Sequence, residues 1–171
     1  MIDFQRHDVK IAHLNVRSEL HGDDEVLAID LRLECDLPNV RLDQLAPHLR
    51  ASLYTTDDER PDLIDTNGEH LPHLRYPALG ALAWDADIQP VRLSLHLGGK
   101  PKDDLLLSEA RLNKIRLAPR EGGTFGYICR IQTHPTEDEA AKLMMLLRHS
   151  VKATLDVADA AKVDGADDEN D

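Results

Sequence analysis

The stretch from Leu27 to Leu37 limits what this chain can fold into more than any other part of it. Leu27, Ile29, Leu31, Leu33, Cys35 and Leu37 alternate with Ala28, Asp30, Arg32, Glu34 and Asp36. Successive side chains of a strand point to opposite faces, whereas a helix repeats every 3.6 residues. The pattern therefore predicts a long half-buried strand. Pro38 ends it, because proline has no N–H to give to a ladder. Register is strongly set, since a slip of one residue would turn Asp30 and Arg32 inward.

Weaker alternations flank this strand. Val9, Ile11 and His13 alternate with Lys10, Ala12 and Leu14, and the polar run 19–25 around Gly22 reads as a hairpin turn. Leu42, Leu45, Leu49 and Leu53 recur at helical spacing, which predicts a short helix over 41–53 that Pro47 kinks or restarts. The segment 55–82 has little period and reads as a long excursion. Strands are then expected at 82–86 and 91–97. Two strands, or one bulged strand, are expected across 105–107 and 110–117, and another over 125–133, where both faces are apolar enough for a central position. Thr136 to Glu139 is a capping box, opening a helix to about His149 with Ala140, Leu143, Met144 and Leu147 as its apolar stripe. Residues 151–157 read as a last strand. Leu27, Ile29, Leu31, Leu33, Val91, Leu93, Leu95, Cys129 and Ile131 are the expected core.

The fold class implied is α+β, mainly an antiparallel β-sandwich or open barrel with two short helices. Residues 1–157 are expected to form one β-rich domain, which suits a chain of 171 residues. Residues 158–171 are expected to be a flexible acidic tail. From Asp156 onward there are seven acids and one base, half of the formal net charge of −12. No apolar run is long enough to span a membrane, and the first ten residues carry charges where a secretory leader has an apolar stretch. A cytoplasmic location is the expectation. Cys35 and Cys129 make neither a disulfide framework nor a zinc motif and are expected to pack as small hydrophobes.

Reaction chemistry finds no motif. Nine histidines are scattered, with only His70 and His73 close in sequence, and zinc spacings are missing. No nucleophile elbow or phosphate loop is present. The expectation is a protein with no catalytic residues, no metal and no cofactor.

One window runs against the overall charge. Lys100, Lys102, Arg111, Lys114, Arg116 and Arg120 meet only Asp103, Asp104 and Glu109. With Arg130, and with Trp84 and Tyr127 on neighbouring strands, these bases form a candidate surface for single-stranded DNA, cations tracking phosphates and rings stacking bases. The opposite reading is an acidic protein-binding module, or a DNA mimic that inhibits a host nucleic-acid enzyme. It needs Asp23, Asp24, Asp30, Glu34 and Asp36 to form one negative surface.

Several stretches resemble a loosely defined set of phage- and prophage-encoded accessory proteins found with recombination and replication functions. These are Val9 to Arg17, His21 to Asp24, Leu45 to Pro47 running to Tyr54, Leu79 to Trp84, Asn113 to Arg116, Gly122 to Thr124, and Arg130 to Pro135. The resemblance implies a phage accessory role in handling single-stranded DNA. The expected partners are single-stranded DNA or a nucleic-acid-processing protein, with self-association as a homo-oligomer. The terminal Glu169-Asn170-Asp171 lacks the closing hydrophobic residue common to acidic recruitment tails.

Overall fold

A computed structural model describes residues 1–56 and 71–157. It shows a mixed α and β fold dominated by one large antiparallel sheet with few short helices. The elements are β1 (Phe4–His21), β2 (Asp24–Pro38), α1 (Leu49–Leu53), β3 (Tyr54–Thr55), β4 (His73–Leu74), β5 (Leu82–His96), β6 (Leu105–Arg120), β7 (Thr124–Thr133), α2 (Glu137–Met145) and β8 (Ser150–Asp156). The expected acidic tail lies outside the described residues. The chain divides into two compact units. The smaller comprises Met1–Ile2, Asp36–Trp84 and Arg116–Tyr127, and the larger comprises Asp3–Cys35, Asp85–Ile115 and residue 128 onward.

In the larger unit the strand order is β1-β2-β7-β6-β5-β8. β8 pairs antiparallel with β5, through Leu93 with Leu155 and Leu95 with Ala153, and also with β1, through Phe4 with Leu155 and Val9 with Val151. The order therefore closes as a barrel rather than ending in the free edges of an open one or splitting into a sandwich. Closure removes the unpaired N–H and C=O rows that an edge strand exposes. β7 lies between β2 and β6, as its two apolar faces suggested.

Strand lengths differ from the sequence reading. The first hairpin is real, but β1 continues to His21 and the turn is only Gly22-Asp23, with Gly22 at a φ of 68°. The residues read as a long turn are instead paired, Glu19 with Val26 and Leu20 with Glu25. β6 is one continuous strand whose burial pattern slips phase at Ser108-Glu109 and again at Leu112-Asn113. Lys114, at a φ of 51°, follows the second slip. β5 is likewise one strand rather than two.

The core of the larger unit is that of the alternating faces. Ile29, Leu31, Leu33, Val91, Leu93, Leu95, Cys129 and Ile131 are all buried. Leu27 is only half-buried. It pairs with Ser18, on the part of the hairpin that outruns β8, whose pairing with β1 ends at Lys10. Cys35 is also half-buried rather than core, and neither cysteine is in a disulfide.

α2 begins as its capping box requires. The Thr136 hydroxyl accepts from the Glu139 N–H at 3.3 Å, and the Thr136 N–H donates to the Glu139 carboxylate at 2.8 Å. It ends at Met145, four residues earlier than expected. Ala140 and Leu143 are buried, but Met144 and Leu147 are exposed and so are not part of its packed stripe.

In the smaller unit the expected helix over 41–53 is broken as Pro47 demands, into a 3₁₀ turn (Asn39–Gln44) and α1. The buried Tyr54 pins this unit. Its hydroxyl donates to the Thr124 carbonyl at 2.5 Å and accepts from the Arg120 N–H at 3.1 Å. Asn39 holds the end of the excursion, donating to the Leu71 carbonyl at 2.7 Å. β4 pairs with β3, and residues 57–70 of the excursion lie outside the described residues.

Candidate functional site

The larger unit carries a ladder of polar side chains that crosses successive strands. On β5 and β6, Asp87 accepts a two-pronged bond from Arg111, at 2.6 and 2.5 Å. On β6 and β7, Arg130 donates to the Asn113 amide oxygen at 2.8 Å, and Asn113 donates to Gln132 at 3.0 Å. Gln132 donates at 3.0 Å to Asp30 on β2, which also accepts from Arg17 on β1 at 3.0 Å. Arg17 then pairs with Glu19. Three guanidiniums (Arg17, Arg111 and Arg130) and three carboxylates (Glu19, Asp30 and Asp87) share the ladder, so it cross-links strands without creating a field of one sign.

Two carboxyls record this pairing. Burial pushes the Asp30 carboxyl upward, but bonds from Arg17 and Gln132 and the charges of Arg17 and Arg130 outweigh it and hold the group below 3.8. The Arg111 bond holds the Asp87 carboxyl below its ordinary value despite some desolvation.

This ladder takes up part of the basic window. Arg111 and Arg130 are committed within it, and in the smaller unit Arg120 pairs with Asp36 at 2.5 Å. Lys100, Lys102, Lys114 and Arg116 are exposed and make no ion pair among the described residues. Lys100 and Lys102 lie in the loop after β5, where Pro101–Asp103 form a 3₁₀ turn. Lys114 stands far along β6; the nine residues from Leu105 span about 30 Å at strand rise. Screening at physiological salt acts over about 8 Å, so Lys102 and Lys114 do not sum into one field. Arg116, Arg120, Trp84 and Tyr127 belong to the smaller unit. Tyr127 is buried, which corrects its reading as a ring free to stack on a base, and Trp84 is half-buried. Three of the five acids of the mimicry reading are also taken up. Asp30 lies in the ladder, Glu34 pairs with Arg32 at 2.5 Å, and Asp36 pairs with Arg120.

Two arrangements were not visible in the sequence. At the end of β5, His96 Nδ1 lies 2.6 Å from Asp104 and its Nε2 lies 2.9 Å from the Thr154 hydroxyl. This is the order of a hydroxyl, a base and an orienting carboxylate. The Thr154 oxygen, however, already accepts the Arg6 N–H at 3.1 Å. Arg6 has a φ of 44° at the register shift of β1, so the group clamps β1, β5, β8 and the loop carrying Asp104.

Beside this clamp is a cleft of about 520 Å³, lined by Asp8, His96, Leu97, Lys142, Met145, Leu146, Ser150, Val151 and Lys152. Thr154 is not part of the lining. Met145, at the cleft edge, is 79% exposed, and Met144 is 50% exposed. Methionine is unbranched and polarizable, and exposed methionines adapt to more than one partner surface. Of the stripe read as core, Ala140 and Leu143 are buried as expected, while Met144 and Leu147 are exposed, as is Met145.

No protein-family model, no curated protein and no solved structure matches this chain.

Proposed function

We propose that this chain is a non-enzymatic accessory protein of DNA transactions that acts by docking on a nucleic-acid-processing protein. The observation that carries this reading is the exposure of Met144, Met145 and Leu147 at and just beyond the end of α2, with Met145 also lining the cleft. Large apolar side chains clustered in water mark interaction surfaces, and these three fall within four consecutive residues, 144–147. The partner's chemistry follows from charge. A chain of −12 attracts a basic surface, and proteins that handle nucleic acid carry one. The phage accessory setting implied by the sequence resemblance supports the same class of partner.

The test places a photoreactive amino acid at Met145 of the full chain in its native cell. A discrete product with a basic nucleic-acid-processing protein, lost on Leu147→Asp, is expected. A product with no protein of that class, or one that survives Leu147→Asp, overturns the reading.

The exposure of Lys114 and Arg116, without ion pairs among the described residues, favours a second reading: weak binding of single-stranded DNA. Each cation engaged on a phosphate contributes about 0.7 to the salt slope of a single strand. Replacing both with Glu should flatten the slope of oligonucleotide binding. An unchanged slope removes this reading.

A further inference from the structure

We propose that Glu19, His21 and His134 form a binding site for one first-row divalent cation, of which zinc is the natural probe. The sequence shows His21 and His134 only as two of nine scattered histidines with no metal spacing, because 112 residues lie between them. The fold brings them together. Glu19 and His21 stand two apart near the end of β1, so they project from the same face of the strand. The turn at Gly22 fixes that end. His134 directly follows β7 and is held between the buried residues Thr133 and Pro135.

The donor atoms already converge. Glu19 Oε2 lies 2.7 Å from His134 Nε2 and 3.8 Å from His21 Nε2. All three donors fall within 4.8 Å of one another. The two imidazole rings meet edge to face, 4.8 Å between centroids. Zinc binds nitrogen and carboxylate oxygen at about 2.0–2.2 Å, so tetrahedral donors stand about 3.3 Å apart. The Glu19–His134 pair must open by about half an ångström, the Glu19–His21 pair close by as much, and the two imidazole donors close by up to about 1.5 Å. The His21 side chain is 55% exposed and has the freedom to make that adjustment. Arg17 pairs with Glu19 Oε1, which leaves Oε2 turned toward the imidazoles. This is how an outer partner commonly aims a ligating carboxylate.

The donor set chooses the metal class. Two imidazoles and one carboxylate suit zinc and its neighbours, whereas calcium and magnesium prefer oxygen throughout. Solvent supplies the remaining position, since all three side chains reach the surface. Bound metal would tie the tip of the first hairpin to the segment leading into α2.

The test uses the full chain stripped with a chelator and titrated with zinc, by calorimetry and by competition with a chromophoric chelator. One saturable equivalent is expected. It should weaken in His21→Ala and in His134→Ala by more than the roughly 10–100-fold that loss of an outer-shell partner costs. His13→Ala, an exposed histidine on the same strand, should leave it unchanged. In the parent, the ring resonances of His21 and His134 should shift together on zinc addition, a readout independent of variant folding. Binding that is undiminished in the His21→Ala/His134→Ala double variant, or zinc that moves neither ring resonance, overturns the site.

Discussion

Replacing Tyr54 with Phe isolates the hydrogen bonds that hold the smaller unit. The ring remains, so no cavity forms and the packing around a fully buried side chain is kept. Only the hydroxyl is lost, and with it the bond to the Thr124 carbonyl and the bond from the Arg120 N–H. A hydrogen bond contributes about 0.5–1.5 kcal/mol net, and a buried partner left unsatisfied costs about 1–3 kcal/mol. Thr124 is half-buried and Arg120 is exposed, so water offsets part of the loss. About 1.5–3 kcal/mol is therefore expected. For a chain of this size each kcal/mol lowers Tm by about 2–4 °C, giving a drop of about 3–12 °C. The assay is thermal unfolding with a urea titration alongside. The urea midpoint should fall while the slope stays constant. Alkaline pH adds a second readout. Burial pushes the Tyr54 phenol above 10.0; the Arg120 bond works against that shift and the Glu121 charge adds to it. Its contribution is complete below pH 10 and declines as pH rises toward the folded value, because the unfolded tyrosine ionises first. Tyr54→Phe should lack this alkaline loss. A Tm within about 1 °C of the parent would refute the claim that this hydroxyl pins the unit.

Leu31→Ala removes a fully buried side chain from β2 and should cost about 2–5 kcal/mol, read as a lower denaturation midpoint. Asp30→Asn should flatten the acid limb of the stability curve. The parent carboxyl titrates below 3.8 when folded, so its contribution is present above that pH and lost as pH falls through the folded value. Alkylation at neutral pH should modify Cys35 well before Cys129, because burial pushes the Cys129 thiol far up and denies the reagent access. Equal rates, measured by mass spectrometry, would place Cys129 outside the core.

The strands were legible where one side of the pattern is uniformly apolar. The alternation of β2 fixed its buried face at Ile29, Leu31 and Leu33, and the Thr136–Glu139 box fixed the start of α2. Legibility failed where the period breaks. The two phase slips of β6 left two strands and one bulged strand equally readable, because a bulge moves the alternation to the other face. Closure was invisible for another reason. It rests on β8 pairing with β1, a contact between opposite ends of the chain that leaves no mark on local periodicity. The basic window was legible as composition but not as pairing. Asp87, Asp36 and Asp30 lie far in sequence from Arg111, Arg120 and Arg130, so nothing local shows which cations are neutralised. The Met144–Leu147 stripe has helical spacing that fits either a core or a docking face. Only the early end of α2 separates the two.

The central claim is that this chain works through its exposed apolar groups at the end of α2 rather than through its remaining cations. One experiment sets the two against each other: photoreactive side chains at Met145 and, separately, at Lys114, in the full chain in its native cell, with every product identified. The account predicts a protein product from Met145, with a basic nucleic-acid-processing partner, that disappears on Leu147→Asp. A silent Met145 together with a nucleic-acid product from Lys114 would contradict it.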